Sequence, residues 1–185
     1  THAIEAYVST LNCVYTDPLA IQAIEMVFDY LPASFKGNME ARAQMHDAQC
    51  LAGMAFSNAL LGIVHSMAHA LGAVYDTPHG VANAILLPTI MEYNADATGE
   101  KYRAIAKAMG VEGTENMTQE EYRKAAVDAV KKLSQDVGIP ADLKEIVKEE
   151  DVTFLAESAI KDACTPGNPK DPTLEDIIAL YKSLM

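Results

Sequence analysis

Three histidines stand close together in an otherwise apolar stretch, residues 62–94, which reads GIVHSMAHALGAVYDTPHGVANAILLPTIMEYN. His65 and His69 are four residues apart, so on a helix they lie one turn apart on the same face. His79 follows Asp-Thr-Pro at residues 76–78, a sequence typical of a turn, which would bring a third imidazole back toward the first two. The types and spacing of these residues predict part of a catalytic metal site.

Spacing alone leaves the roles of the histidines open. Imidazole binds zinc, iron, nickel and copper, so the pattern does not select a metal. The zinc-protease motif HExxH is excluded, because Ser66 stands where that motif needs its glutamate. His69 could carry protons instead of binding a metal, since imidazole titrates near neutral pH. On position alone His2 is a weaker ligand candidate, and His46, among polar residues, is predicted to be exposed.

The composition excludes several classes of protein. The 185 residues are 50% hydrophobic and 22% charged with a net charge of −12, which fits one soluble domain. Nucleic acid and anionic membranes would repel such a chain, and no apolar run reaches membrane-spanning length.

Cys13, Cys50 and Cys164 form no CxxC pair and no disulfide framework. We therefore expect three buried thiols and a reducing, cytoplasmic location.

Apolar residues recur with helical spacing along the whole chain. We expect an all-α, bundle-like domain of about eight or nine helices, with residues 62–94 near its centre. Helix-start signals are Thr16-Asp17-Pro18, Asn38 as an N-cap and the capping box of Thr118 and Glu121. After a first helix at the N-terminus, the predicted helices are residues 16–32, 39–59, 61–74, 80–93 (kinked or shortened at Pro88), 101–109, 118–137, 148–164 and 173–184. Because the chain starts within an amphipathic helix, we interpret it as a fragment of a longer polypeptide.

Motifs for nucleotide binding and for nucleophilic catalysis are missing from the sequence. It contains no GxGxxG and no GxxxxGKS/T, so a nucleotide cofactor would need another polypeptide segment. No Ser or Cys stands in a nucleophile elbow, and no glycosidase-like pair of carboxylates stands out. The chemistry of the chain is therefore expected at its histidines.

The histidine stretch closely resembles the signature of the iron-containing (group III) alcohol dehydrogenases, within their C-terminal α-helical domain of dehydroquinate synthase-like fold. Three further segments resemble the same family. The opening THAIEAYVS is similar to its first metal-binding helix, AQCLAGMAFSNALLGIVH to its run into the signature, and CTPGNPKDPTLEDI to its C-terminal end. The resemblance covers essentially the whole chain, and the lactaldehyde/propanediol and butanol dehydrogenases look most similar.

The resemblance implies a set of metal ligands. In the family, an aspartate and three histidines hold one divalent ion, usually Fe2+ and sometimes Zn2+. The matching histidines are His2, His65 and His79, which we expect to converge on one cation in the domain's interior. His69 matches a fourth histidine near the substrate and is the catalytic candidate that relays the alcohol proton. The matching aspartate would stand four residues before His2, outside this chain.

The resemblance also implies what other segments supply. Residues 1–185 would be the metal-binding, catalytic α-helical domain, and an N-terminal α/β domain, absent from this chain, would bind NAD(H) or NADP(H). The complete enzyme would interconvert primary alcohols or diols and aldehydes by metal-assisted hydride transfer. It would form a homo-oligomer, a dimer or larger, and the isolated fragment would be inactive.

Two alternatives remain open at this point. A zinc-dependent polyol dehydrogenase of the glycerol type would use the same ligands, so metal content must separate it from an iron enzyme. A helical metal-binding or interaction module would carry out no catalysis. It predicts that no α/β domain is encoded before Thr1.

Overall fold

The protein folds into nine α-helices joined by turns and short 3₁₀ segments, and no strand forms among its 185 residues, all of which the computed structural model describes. The all-α prediction of eight or nine helices is therefore confirmed. The helices are α1 (His2–Val8), α2 (Thr16–Phe35), α3 (Met39–Ala59), α4 (Ile63–Tyr75), α5 (His79–Asn94), α6 (Lys101–Ala108), α7 (Gln119–Asp136), α8 (Val152–Ile160) and α9 (Leu174–Ser183).

The helices pack in two groups around one core. α2 and α3 form a helical hairpin, and α1 lies against both. In the second group α4 packs against α5 and α8, while α5 contacts α7 and α8 contacts α9. α6 joins the groups, because it packs against both α2 and α7. A cluster of 40 buried apolar residues draws members from all nine helices, so the chain has a single hydrophobic core.

Side-chain caps start α3 and α7 where the sequence predicted them, whereas α2 begins at Thr16 without a side-chain cap. The side chain of Asn38 accepts a hydrogen bond from the N–H of Ala41 at 2.9 Å and so begins α3. Thr118 and Glu121 form the reciprocal capping box that begins α7. A second box, at Thr173, begins α9. Each cap satisfies backbone donors that the first turn of a helix leaves free, a contribution of about 1 kcal/mol.

The two prolines predicted to interrupt helices do not end them. α2 continues past Pro32 to Phe35, and α5 continues past the buried Pro88 to Asn94. A proline inside a helix removes one N–H donor and crowds the preceding turn, at a cost of about 3 kcal/mol. Packing of α2 on α3 and of α5 in the core offsets that cost, so tertiary contacts override the local signal.

The eighth helix is shorter than the predicted residues 148–164. α8 covers only Val152–Ile160 and is flanked by 3₁₀ turns at Glu149–Asp151 and Thr165–Gly167. The carboxylate of Asp162 accepts a hydrogen bond from the N–H of Cys164 at 2.8 Å. Short acidic side chains compete in this way with helical hydrogen bonding, which explains why the chain leaves the helix here.

The histidine stretch, whose only charged residues are Asp76 and Glu92, contributes much of the buried core. Eight of the 13 residues of α4 are buried, and α5 continues the apolar layer beside it.

No single helix is long and apolar enough to cross a membrane. α3 and α4 reach the necessary length and hydropathy only when they are counted together, and a 104° bend separates them.

The turn between α3 and α4, residues 60–62, is held by the loop that follows α8. Leu60 has a φ of 62°, a conformation that costs a non-glycine residue about 1–3 kcal/mol and persists only where packing enforces it. The side chain of Asn168 accepts a hydrogen bond from the N–H of Ile63 at 3.3 Å. Gly167 packs directly on the turn. These contacts fix the point at which α4 begins.

Gly167→Ala should destabilise the protein by about 1–3 kcal/mol, because the added Cβ would overlap the carbonyl oxygen of Leu61 and force the turn outward. Gly53→Ala is the matched control, since a Cβ at this position in α3 meets open space; it should raise stability by about 0.5–1 kcal/mol. Urea denaturation followed by circular dichroism measures both changes. Equal midpoints for Gly167→Ala and the unmodified protein would contradict the close packing.

Candidate metal centre

α4 carries the first two histidines of the site. The helix begins after Gly62 and ends at Asp76, whose left-handed conformation (φ 53°) turns the chain away. His65 lies in the buried first turn of the helix with 1% of its surface exposed. His69 lies one turn later on the same face, its ring centroid 6.0 Å from that of His65. The helical spacing thus places the pair as the sequence predicted.

The turn at residues 76–78 brings the third histidine back to this face. His79 is the first residue of α5, and its ring centroid lies 5.3 Å from that of His65 and 5.6 Å from that of His69. The side-chain amide of Asn83 donates to the His79 carbonyl at 2.9 Å and lies 3.2 Å from its Nε2. The turn and this amide together position the His79 side chain.

His2 reaches the same place from α1. Its ring stacks between those of His65 and Phe56, at centroid distances of 4.5 and 4.4 Å. One ligand nitrogen from each of His2, His65 and His79 lies within 4.8 Å of the other two. The structure therefore brings together the three histidines that the resemblance selected, from three different helices.

The donor set fits a divalent metal ion. Nε2 of His65 is buried and has no hydrogen-bond partner, which is costly unless something else occupies its lone pair. Burial and the neighbouring His65 lower the pKa of His2 to about 3. Burial, His65 and His69 also lower the pKa of His79. Neutral imidazole is the form that binds metals, and three such rings suit iron or zinc. Metal binding by these residues stays a prediction.

The cluster lies at an edge of the domain and not, as expected, wholly in its interior. His65 is buried and His2 is half-buried, but His69 and His79 are exposed. A stretch with few charges is compatible with a core and equally with a surface that a ligand covers, so the sequence could not separate the two. One side of the histidine cluster is therefore open to solvent.

Two carboxylates that sequence reasoning missed hold two of the histidines. Glu5, on α1 and only 4% exposed, lies with Oε2 2.6 Å from Nδ1 of His65. Asp162, after α8, lies with Oδ2 2.9 Å from Nδ1 of His69. Glu5 could have been predicted to have a buried partner, because it is an acidic residue among the apolar positions of α1. Asp162 could not, because 93 residues separate it from His69.

A second cluster of possible ligands is explained by hydrogen bonds alone. His69, Asp162 and Cys164 place ligand atoms within 4.8 Å of one another. Asp162 accepts hydrogen bonds from the His69 ring and from the Cys164 N–H. Burial acts to raise the pKa of Asp162, but these hydrogen bonds outweigh it and hold the pKa below its usual value. The carboxylate therefore has a positioning task here without an ion.

The cysteines do not behave as the sequence predicted. Cys13 and Cys50 are exposed and Cys164 is half-buried, so the expectation of three buried thiols was wrong. The prediction failed because it rested on the general preference of cysteine for the core and on no local pattern. Exposure of His46, by contrast, is confirmed.

Fold and site together define an all-α domain with a histidine cluster suited to a metal ion. The family model for the Fe-containing alcohol dehydrogenase family, C-terminal, matches residues 1–185. The chain belongs to this family.

Relatives of known sequence and structure agree with this assignment. Lactaldehyde reductase of Escherichia coli K12 is 55% identical over 98% of this chain and 47% of its own length. NADPH-dependent butanol dehydrogenase of Clostridium saccharobutylicum is 49% identical, with the same coverage. The crystal structure of a 1,3-propanediol oxidoreductase superposes with a TM-score of 0.97 at 42% identity, over 100% of this chain and 49% of that one. The chain spans about half the length of the relatives that it matches.

Cys13 should be alkylated far faster than Cys164 at pH 8. Hydrogen bonds from the backbone N–H groups of Tyr15 and Thr16 lower the pKa of Cys13, whereas burial and the Asp162 carboxylate raise the pKa of Cys164 to about 12. Because the thiolate is the reactive form, Cys164 should gain reactivity only as the pH rises toward 12. Iodoacetamide labelling with peptide mass spectrometry measures both rates.

The exposed Cys50 is the reference for this comparison, and its labelling should be intermediate. Labelling of Cys164 as fast as Cys13 would contradict the environment described for it and would reopen a nucleophilic role.

Proposed function

We propose that this chain is the metal-binding half of an NAD(P)-dependent dehydrogenase that interconverts primary alcohols or diols and aldehydes. The observation that carries the proposal is the convergence of His2, His65 and His79, with one buried nitrogen that lacks any hydrogen-bond partner. The activities of the relatives suggest the substrate class, since they include a lactaldehyde reductase and a butanol dehydrogenase.

His2, His65 and His79 would hold the ion, with iron as the first expectation and zinc as the alternative. What a bound divalent ion supplies is Lewis acidity, which polarises an alcohol or carbonyl oxygen. The three histidines contribute neutral nitrogen donors at fixed positions, because stacking holds His2 and the Glu5 carboxylate holds His65. Phe56, stacked on His2, covers one side of the cluster with an apolar ring.

His69 would move the proton. The Asp162 carboxylate can only accept hydrogen bonds, so Nδ1 of His69 carries the proton of their contact and Nε2 is left with its lone pair. The His69 side chain is 42% exposed, which gives substrate and solvent access to it. In alcohol oxidation the C–H bond would deliver hydride to the nicotinamide, the O–H bond would deliver its proton to His69, and the aldehyde carbonyl would form.

The remaining parts of the enzyme are proposed from the family. An N-terminal α/β domain would bind NAD(H) or NADP(H) and present the nicotinamide to the open side of the histidine cluster. The complete protein would be a homo-oligomer of two or more subunits. A cytoplasmic location remains a prediction from the three unpaired cysteines.

His65→Ala should remove metal binding from the complete protein, because no neighbouring side chain can replace a buried ligand. The unmodified protein should carry about one divalent ion per chain and the variant less than about a tenth of that. Anaerobic purification followed by elemental analysis measures the content, and it also identifies the metal as iron or zinc.

His46→Ala is the matched control, since His46 is exposed on α3 and lies outside the cluster. Undiminished metal in the His65→Ala protein would contradict the proposed centre. Absence of metal from the unmodified protein, together with absence of dehydrogenase activity, would favour a non-catalytic helical module.

His69→Ala should keep the metal but lower turnover of primary alcohols by about 100-fold or more, the usual contribution of a positioned acid–base group. The variant should also show an altered pH dependence of turnover, because it lacks the group proposed to accept the alcohol proton. Steady-state assays with butanol or 1,3-propanediol, with NAD+ and with NADP+, measure both effects. An unaltered pH profile would remove His69 from the mechanism.

A further inference from the structure

Glu5 is a buried acid that sequence reasoning did not use and that the proposed reaction does not touch. It lies on α1, one turn beyond His2, and only 4% of its surface is exposed. A buried carboxylate is costly unless its oxygens are hydrogen-bonded. The partners of this carboxylate therefore indicate its task.

All the hydrogen-bond partners of the Glu5 carboxylate belong to the start of α4. Oε1 accepts a hydrogen bond from the N–H of Val64 at 2.8 Å, and Oε2 accepts one from the N–H of His65 at 3.4 Å. Oε2 also lies 2.6 Å from Nδ1 of the His65 ring. The positive end of the α4 dipole stabilises the ionised carboxylate further. Gly62 leaves the space, because a Cβ there would stand 2.9 Å from Oε1.

The short contact with the ring determines which His65 nitrogen bears the proton. An ionised carboxylate has no hydrogen to donate, so Nδ1 must donate, and the ring's lone pair stands on Nε2. Nε2 is the buried atom without a partner, in the cluster with His2 and His79. The proton is therefore held on the side of the ring away from the predicted ion.

We propose that Glu5 is a positioning residue, which fixes His65 in the tautomer that binds a divalent cation through Nε2. It also ties His2 and His65 into one unit, because the carboxylate bridges their helices. The inference rests on the metal centre of the proposed function and is independent of hydride transfer. A carboxylate that merely capped α4 would need the two backbone contacts but not the ring contact.

Glu5→Gln separates the two roles. The amide oxygen of glutamine can replace Oε1 at the N–H of Val64, which keeps the shorter of the two cap contacts. Its NH2 group then faces Nδ1 of His65 and, as a donor, requires the lone pair on that nitrogen and the proton on Nε2. If the amide adopts the flipped orientation, its NH2 group faces the N–H of Val64, two donors meet, and that cap contact is lost instead.

The affinity of the complete, metal-depleted protein for Co2+ and Zn2+ should fall about 10- to 100-fold in Glu5→Gln, the range found for residues that orient metal ligands. Competition with a chromophoric chelator measures the affinity, and the Co2+ absorption spectrum reports any change in coordination. Glu25→Gln, an exposed acid on α2, is the matched control and should change neither. Equal affinity in Glu5→Gln and the unmodified protein would overturn the proposal.

The tautomer of His65 in the unmodified, metal-free protein is a second readout, which does not depend on the folding of any variant. Selective 15N and 13C labelling of histidine should show the His65 proton on Nδ1, in slow exchange with water. A proton on Nε2 would overturn the proposal. Failure of the unmodified protein to bind either cation would instead contradict the metal centre, while the tautomer would still decide what Glu5 does to the ring.

Discussion

The contact between the Glu5 carboxylate and the start of α4 is the interaction on which the rest of the site depends. It compensates a buried charge with two backbone N–H groups and one ring nitrogen, and it joins the helix of His2 to the helix of His65. The turn at residues 60–62 must end α3 where it does for this contact to form, and Asn168 holds that turn from the far end of the chain. Residues distant in sequence thus converge on one helix start.

Most of the fold could be predicted because its signals are local. Apolar spacing, the Asn38 cap and the Thr118 capping box act within one or two turns of helix, and the structure contains them as expected. The errors arose where a distant contact outweighed a local preference. Packing allows α2 to continue past Pro32. The hydrogen bond from the Cys164 N–H to Asp162 lies where the predicted eighth helix would have continued, and α8 ends before it.

The residues of the site also fall into two groups, those predictable from nearby sequence and those that depend on distant contacts. His65 and His69 were readable from helical spacing and His79 from the turn before it, because each relation spans only a few residues. His2 was selected by resemblance, since nothing in its own surroundings marks it. Asp162 could not be found at all, because its partner lies on another helix 93 residues away. Chemistry that depends on pairs across the chain is visible only after folding.

Two carboxylate–histidine pairs stand within one turn of α4, and they differ in burial in a way that suits the different tasks that we propose for them. The Glu5–His65 pair is almost fully enclosed, at 4% and 2% exposure, so its proton cannot exchange easily and the ring is held in one state. The His69–Asp162 pair is 42% and 21% exposed, so solvent and, in the proposed reaction, substrate can reach its ring. A ligand must keep one tautomer, whereas a proton relay must change its protonation during each cycle. In the function that we propose, the same chemical pair would serve metal binding where it is buried and proton transfer where it is open, and the difference in burial follows from the position of each residue along one helix.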